Sequence, residues 1–358
     1  MRTVRAPILV IALTFVTACA RSIQSNEPQT TSLLLMLLTF SSQKQIYVAN
    51  NLTPTISKFS FNPASDEITG TGETTISAIP IGLAVDPTGS HLYAAVTGNN
   101  TVTAFAIGPN EISSLSATAT GSSPSDVTIS SNGRFVYVPN RLGNTVNIYA
   151  RSSSTGLLTD LGTTATGTAP VSIAIDPTGQ FAFVPNFGSN TASAFTINQT
   201  TGALTANGTV ATGSSPNHLL VHSSGRFAYV CNNASNNVTQ LLINTSTGVL
   251  TANGTIAAGT TPSRMGFDYS GSFLYVANAA SNNISIYRID QSTGTLTAIG
   301  SAAAGSSPRR IAVGTAGLLV SSFGTNSLLR FSMDSDGGLR ERSNTGAGSG
   351  PIGVASTP

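Results

Sequence analysis

A proline returns at a nearly constant interval along most of this chain. Successive prolines are 43 to 46 residues apart, and a glycine follows each of the first six at a fixed distance. A period of about 40–50 residues is typical of propellers and solenoids, in which one small unit is repeated. The repeat therefore constrains the fold before any single residue is considered. The anchors are Pro80, Pro124, Pro170, Pro216, Pro262, Pro308 and Pro351.

The unit at residues 261–300 shows the internal pattern. A short apolar run, residues 265–267, follows Pro262. The chain then turns at Gly271, where a tight turn needs the positive φ that glycine adopts freely. Residues 273–277 are apolar and β-prone, and residues 284–289 alternate with period two, as a strand with two unlike faces does. A fourth run follows a further turn. Four short strands within such a period predict a propeller blade.

The two ends of the repeat predict the number of blades. Six complete units begin at the prolines from Pro80 to Pro308. The residues before Pro80 supply only the later strands of a unit, and those after Pro351 supply only a first strand. We therefore expect an all-β, seven-bladed propeller of four-stranded blades over residues 42–358. Its termini share one blade, which closes the ring and protects the sheet edges.

Recurring motifs resemble those of known propellers. Tyr-Val-x-Asn occurs at 137–140, 229–232 and 275–278 and resembles the YVTN-type repeat. With the prolines, the Asp-Pro-x-Gly turns and the Thr-Gly-x-Leu turns, the pattern is similar to the lactonase, or 6-phosphogluconolactonase-like, seven-bladed family. The resemblance covers about residues 42–358. It implies the fold and, as an activity, hydrolysis of a lactone, a reaction of the carboxylic-ester class.

The beginning of the chain predicts export. Arg2 and Arg5 precede a short apolar run, and residues 16–19 read Val-Thr-Ala-Cys, which resembles a bacterial lipobox. We expect residues 1–18 to be a signal peptide. Cys19 would be the lipidated N-terminus that anchors the protein to a membrane, at the outer membrane or cell surface. The alternative is an ordinary cleaved signal with an incidental cysteine.

Residues 19–41 are expected to form the lipidated tether. They include an apolar run at 32–40, which is too short to cross a bilayer. This run would either pack on the propeller or lie at the membrane surface, and the sequence leaves both possibilities open.

Composition excludes several functions. Charged residues make up 8% of the chain, and the net charge is +2 without a basic block, which argues against a nucleic-acid partner. Cys231 is the one cysteine of the propeller, so we expect a buried structural thiol and no disulfide there. The sequence has no metal-ligand spacing, phosphate loop or nucleophile elbow. We expect no metal, no cofactor and a monomer.

The repeat also indicates where a site would lie. Residues three and five positions after each proline are mostly large and apolar, so we expect them in the core between blades. Two positions after the proline, four of seven residues are ionisable. Since the first strand of a blade lines the channel, these residues should face one channel mouth. They are Gly82, Asp126, Ser172, His218, Arg264, Arg310 and Gly353, with Arg309 beside them.

These residue types suit lactone hydrolysis, which needs a base to activate water and cations to stabilise the oxyanion. His218 is the candidate base, because its side chain titrates near neutral pH. Arg264 and Arg309 would hold the oxyanion or a carboxylate, and Asp126 would orient His218 or neutralise an arginine. The alternative is a solvated channel rim with charges paired for structure. The predicted ligand-binding set adds Arg310, Ser172 and Asn217.

Comparison with the lactonase family gives evidence both for and against lactone hydrolysis. The motifs that end at His218 and Arg309 resemble the family's Pro-His and Pro-Arg blades. The family tends to carry Asn-Glu where this chain has an alanine, Ala279, and its Asn-Arg element lies in an earlier blade than expected, at Arg141. The missing acid argues against hydrolysis.

The other recurrent polar residues receive structural interpretations. His91 and His222 occupy turn positions and are expected to be exposed. An asparagine recurs once per unit, from Asn100 to Asn282, and is expected to form turns.

Two functions therefore remain, and a third possibility, an architectural subunit of an envelope assembly, is not separable from the first on the sequence. The first is an exported, lipid-anchored propeller that binds a protein, glycan or small ligand at its channel face. The second is a lactonase-like hydrolase. The anchor, the low charge and Ala279 favour the first function, whereas the ionisable ring and His218 favour the second.

Overall fold

The computed structural model describes residues 43–109 and 111–358. The predicted signal peptide, the lipidation site Cys19 and the tether at 19–41 lie outside the described residues. Among the described residues, no helix is long and apolar enough to cross a membrane.

The strands form seven antiparallel sheets of four, as the repeat predicts. Numbered in chain order, blade 1 has β4 (Pro80–Val85), β5 (His91–Val96), β6 (Thr101–Ile107) and β7 (Ile112–Ala119), with a 3-10 turn at Thr97–Asn99. Blade 2 has β8 (Thr128–Ile129), β9 (Phe135–Asn140), β10 (Thr145–Arg151) and β11 (Leu158–Ala165). Blade 3 has β12 (Ala174–Ile175), β13 (Phe181–Asn186), β14 (Thr191–Ile197) and β15 (Leu204–Ala211). Blade 4 has β16 (Pro216–Val221), β17 (Phe227–Asn232), β18 (Asn237–Ile243) and β19 (Leu250–Ala257).

The remaining three blades complete the ring. Blade 5 has β20 (Pro262–Phe267), β21 (Phe273–Asn278), β22 (Asn283–Ile289) and β23 (Leu296–Ala303). Blade 6 has β24 (Pro308–Gly314), β25 (Gly317–Ser322), β26 (Ser327–Met333) and β27 (Leu339–Gly346). Blade 7 has β28 (Pro351–Ser356), β1 (Lys44–Asn50), β2 (Thr55–Asn62) and β3 (Glu67–Thr75).

Blade 7 joins the two ends of the propeller. Its strand order is β28-β1-β2-β3, and β28 pairs antiparallel with β1 in a register that places Val48 opposite Val354. The last strand of the chain is therefore the innermost strand of the blade that the first strands complete. The predicted closure of the ring by pairing of the termini is confirmed.

The core lies between neighbouring blades. In one cluster, Phe227 and Tyr229 of blade 4 pack with Met265 and Val276 of blade 5, and all four are at most 2% exposed. The residue three positions after the proline is buried in each of the six complete blades, and the residue five positions after it is partly buried. Burial of apolar surface between blades is the main stabilising contribution in such a fold.

The Tyr-Val-x-Asn motif has a structural function. The hydroxyl of Tyr229 donates to the Gly294 carbonyl of the next blade at 2.8 Å. The side-chain amide of Asn232 donates to Thr239 Oγ1, also at 2.8 Å. Tyrosine thus links two blades and asparagine links two strands, which explains why both recur. Equivalent tyrosine bonds run from Tyr93, Tyr137 and Tyr275.

The once-per-unit asparagines form the turns between the second and third strands, as predicted. Asn282 has φ 56°, and its Oδ1 accepts a hydrogen bond from the Ser307 amide at 2.8 Å. A left-handed backbone suits asparagine better than most other residues. The same arrangement occurs at Asn100, Asn144, Asn190, Asn236 and Asn326.

Candidate functional site

Three of the ring residues meet inside the channel. Asp126 of blade 2 accepts hydrogen bonds from Arg264 Nη1 of blade 5 at 3.0 Å and from Arg310 Nη1 of blade 6 at 3.1 Å. Asp126 is 3% exposed, and the side chains of Arg264 and Arg310 are 12% and 15% exposed. We call these residues the channel triad. Each lies two residues after the proline that begins its blade, and the three side chains meet across the channel.

Glycine at the neighbouring ring position makes room for this arrangement. A Cβ at Gly82 would lie 2.5 Å from Asp126 Oδ1 and 2.7 Å from its Cα. Any larger residue in blade 1 would therefore displace the carboxylate that both arginines bind.

The electrostatics of the channel triad favour a bound anion. Burial alone would raise the pKa of Asp126, but the charges of Arg310 and Arg264 outweigh burial and hold that pKa below its usual value. Burial lowers the pKa of Arg264, and the charge of Arg310 lowers it further. Two cations share one carboxylate, so the triad carries one unbalanced positive charge in a place of low dielectric.

His218 lies beside the triad and stays neutral. Burial, together with the charges of Arg264 and Arg310, holds the pKa of His218 well below 6.5. Its Nδ1 accepts a hydrogen bond from the Met265 amide at 3.2 Å. Because Nδ1 is the acceptor, the ring proton of the neutral imidazole is on Nε2. This geometry favours His218 as a hydrogen-bond donor over the general base that the sequence suggested.

A cavity of about 570 Å³ lies against this group. Its polar lining includes His218, Arg264 and Arg310, and its walls come from blades 4 to 7. A second cavity, of about 380 Å³, lies between blades 1 and 2 and also reaches Arg310. The larger cavity is bordered by Ser356, the last residue of β28, and by Tyr269, which follows β20. The cavity therefore extends toward the end of the channel where the first strands finish.

Arg309 and Asn217 lie apart from this cavity. The guanidinium of Arg309 stacks over the Phe323 ring at 5.2 Å, in the turn after the second strand of blade 6. Asn217 Nδ2 donates to the Ser263 carbonyl at 3.2 Å. Neither residue is among those that line the two cavities. The one-residue offset from Arg310 and His218 directs these side chains to different surroundings.

The family's Asn-Arg position falls in the same type of turn. Arg141 stacks over Phe187 at 4.7 Å, and Phe187 is the repeat equivalent of Phe323 and Ala279. This turn lies at the end of the channel where the first strands begin. Arg141 and Arg309 therefore lie in turns where the first strands begin, whereas the larger cavity extends from His218, Arg264 and Arg310 toward the other ends of those strands.

Ser172 and Gly353 are the two remaining residues of the ring. The hydroxyl of Ser172 is buried and has no hydrogen-bond partner among the described residues. A Cβ at Gly353 would lie 2.7 Å from the Ile81 carbonyl oxygen, so this position requires glycine.

His91 and His222 are buried, and the prediction that they are exposed is wrong. His91 is 7% exposed and lies beside Asp86, whose carboxylate pairs with Arg151 at 3.1 Å. His222 is 2% exposed, and its Nε2 lies 2.8 Å from the Gly271 carbonyl oxygen. Both histidines contact a neighbouring blade, His91 through Arg151 of blade 2 and His222 through Gly271 of blade 5. His91 occupies the position that phenylalanine holds in blades 2 to 5, so aligning the repeats at this position would have revealed its burial.

The described residues contain no group of three or more His, Cys, Asp or Glu side chains that could hold a metal ion. The thiol of Cys231 is fully buried, and burial raises its pKa to about 12. A thiol in this state is unreactive. The prediction of a buried structural thiol is confirmed.

The fold and the channel define a seven-bladed propeller with a cationic group at its centre. The chain belongs to the family described as lactonase, 7-bladed beta-propeller, whose family model matches residues 108–221 and 206–313. No curated protein matches the chain.

Solved structures share all or most of the propeller. A 6-phosphogluconolactonase candidate from Bacteroides fragilis is 24% identical with a TM-score of 0.80, over 89% of this chain and 99% of that one. The periplasmic gluconolactonase PpgL of Pseudomonas aeruginosa is 19% identical with a TM-score of 0.78, over 88% and 99%. The hydrazine synthase of Kuenenia stuttgartiensis is 16% identical with a TM-score of 0.62, over 81% and 93%. At these identities the likeness concerns the fold.

Proposed function

We propose that this protein hydrolyses lactones in the larger channel cavity. The observation that carries the proposal is the group at one side of that cavity: His218, a neutral hydrogen-bond donor, beside Arg264 and Arg310, which share one carboxylate. Membership of the lactonase family supports the same conclusion. Hydrolysis develops negative charge on the carbonyl oxygen, and an excess of fixed donors and positive charge stabilises that oxygen.

The reaction would proceed by addition and ring opening. The lactone carbonyl oxygen accepts hydrogen bonds from His218 Nε2 and from the arginines. A water oxygen bonds to the carbonyl carbon and loses a proton to solvent, and the ring C–O bond then breaks. The ring oxygen takes up a proton and leaves as an alcohol. The carboxylic acid that forms then loses its proton to solvent, so one proton is released per turnover and the new carboxylate remains beside the unbalanced positive charge.

The adjacent arginines provide a matched test. Arg310 lines the cavity and Arg309 does not, so Arg310→Gln and Arg309→Gln remove the same charge one residue apart. We expect the full-length protein to release acid from a panel of lactones in a pH-stat, and Arg310→Gln to lower kcat/KM by about 100-fold, which is typical for loss of an oxyanion ligand. Arg309→Gln should retain activity. The opposite result would move the reaction to the other end of the channel.

The pH profile separates the two roles of His218. A general base with an ordinary histidine pKa would give an inflection of kcat/KM near pH 6.5. A histidine whose pKa is well below 6.5 and which acts as a donor gives no inflection there, and the rate should instead rise with hydroxide concentration. An inflection near pH 6.5 that His218→Asn abolishes would restore the base role.

Binding without turnover is the second candidate function. Asp268 borders the larger cavity, but its carboxylate accepts the Phe273 amide at 2.7 Å and the Ser270 amide at 3.0 Å. Asp126 is held by two arginines. Both carboxylates are thus already engaged by donors and do not face a water as a free base, which favours a binding propeller in the sense of our first hypothesis. A labelled anion that binds with micromolar affinity, in a protein that turns over no lactone, would support this function.

Export and membrane attachment remain proposals that rest on residues 1–19. An exported protein would meet its substrate outside the cytoplasm. Labelling of cells with a radioactive fatty acid, compared between the natural chain and Cys19→Ser, tests the anchor directly.

A further inference from the structure

The walls of the larger cavity are apolar, in contrast to its charged side. Its charged side is formed by His218, Arg264 and Arg310. The other polar lining residues lie at or beyond the ends of the first strands. Of these, Asp268 accepts hydrogen bonds from backbone amides and the Tyr269 hydroxyl donates to the Gly314 carbonyl. Met265, Ile311 and Val354 are buried, and Leu220, Phe267 and Val313 are half-buried with surface toward the cavity. These apolar walls consist of Leu220, Met265, Phe267, Ile311, Val313 and Val354.

The asymmetry restricts the chemistry of the ligand. A sugar lactone carries hydroxyl groups around its ring, and each would lose water against an aliphatic wall without gaining a hydrogen bond. An alkyl chain loses no hydrogen bonds to water on entering the same space, and burial of its apolar surface favours binding. The charged side, in turn, suits a carbonyl oxygen or a carboxylate.

We propose that the ligand of this cavity is an amphiphile: a lactone that bears an alkyl chain, which is converted to the corresponding hydroxy acid. The hydrolysis in this inference rests on the proposed function. The binding of an amphiphile rests only on the lining of the cavity. The polar head lies against Arg264 and Arg310, and the chain lies along Phe267 and Val313. A cavity of about 570 Å³ falls in the range that takes a ligand of moderate size.

Chain length gives the first test. Burial of one methylene group contributes about 0.8 kcal/mol, which corresponds to about a fourfold change in affinity. Because the cavity is partly open, we expect a twofold to fourfold rise in kcat/KM for each added methylene from δ-hexalactone through δ-octalactone to δ-decalactone. Glucono-δ-lactone should react more slowly than any of them.

Binding of carboxylates that resemble the products gives a readout that is independent of turnover. Decanoate, octanoate and gluconate carry the same carboxylate, so titration calorimetry with the full-length protein isolates the effect of the chain. We expect decanoate to bind at least fourfold more tightly than octanoate, and gluconate to bind least.

A repeat-matched pair of variants locates the effect. Val313 and Val221 both lie five residues after a proline, and each is partly buried against a core cluster, but only Val313 lines the larger cavity. Val313→Asp should weaken decanoate binding by about tenfold or more, whereas Val221→Asp should leave it unchanged. Circular dichroism checks that both variants fold. If either variant does not fold, the dependence of hydrolysis and binding on alkyl-chain length, measured with the unsubstituted protein, decides whether the ligand is an amphiphile.

The outcomes separate the two proposals. Hydrolysis with no dependence on chain length, or faster hydrolysis of glucono-δ-lactone, would overturn the amphiphile while the lactonase function stands. Chain-dependent binding of decanoate without turnover of any lactone would overturn the lactonase function and support the amphiphile. If decanoate does not bind and no lactone is hydrolysed, both proposals are refuted.

Discussion

Replacement of Asp126 by asparagine should destabilise the propeller more than loss of either arginine that binds it. Asp126→Asn removes the shared carboxylate and leaves Arg264 and Arg310 as two nearly buried cations with no opposite charge between them. Removing one partner of a buried ion pair typically costs about 3–5 kcal/mol, because the remaining charge is desolvated without compensation. We expect a loss in this range in the free energy of unfolding.

The same count of buried charges predicts a smaller loss in the free energy of unfolding for Arg310→Gln. That substitution leaves Arg264 and Asp126 as a one-to-one pair, joined at 3.0 Å, so no buried charge remains unbalanced. Its cost should be at most about half of that of Asp126→Asn. The double variant Asp126→Asn with Arg310→Gln should be more stable than Asp126→Asn alone, because it removes one of the two unbalanced cations.

Equilibrium urea unfolding measures these differences, and unchanged m-values would show that the unfolding reaction is the same in each variant. Asp334→Asn is the control, because the carboxylate of Asp334 pairs with Arg340, whose side chain is 74% exposed, and exposed ion pairs contribute little. A loss below about 1 kcal/mol for Asp126→Asn, or an equal loss for Arg310→Gln, would refute the reasoning.

Three further predictions concern the propeller around the channel triad. Between pH 6.5 and 5.5 the unfolded chain takes up a proton at His218 that the folded chain, with its lowered pKa, does not, so stability should fall by about 1 kcal/mol. His218→Asn, whose side-chain oxygen can accept from the Met265 amide, should lack this decrease in chemical unfolding at the two pH values. Asn282→Ala should cost about 2 kcal/mol, from the left-handed backbone and the hydrogen bond to Ser307, and Asn282→Gly about half of that, as thermal and urea unfolding would show. Cys231, with its pKa raised to about 12, should react with a thiol reagent only after unfolding in a Cys19→Ser background; rapid labelling of the folded protein would contradict its burial.

The motifs that support the family resemblance specify the scaffold. Tyrosine and asparagine of the Tyr-Val-x-Asn repeat are engaged in bonds between blades and strands, as at Tyr229 and Asn232. Their recurrence therefore carries information about packing and none about catalysis. The residues that distinguish this chain are those that break the repeat in the channel, above all Asp126, His218 and Arg264.

The amino-acid sequence by itself determined the fold class, the number of blades and the closure of the ring. These features follow from period, alternation and turn residues, which act over a few positions and are repeated often enough to be read without tertiary information. The sequence also placed Asp126, Arg264 and Arg310 at equivalent positions of the first strands, which was sufficient to mark them as a group.

Only the tertiary structure decided which of these residues meet and what state they adopt. Asp126 is separated by 138 residues from Arg264 and by 184 from Arg310, and their pairing across the channel depends on the ring that brings three distant blades together. The depressed pKa of His218 and the burial of His91 likewise depend on neighbouring blades. Equivalent positions in a repeat share a backbone, but desolvation and charge come from side chains that the repeat does not specify.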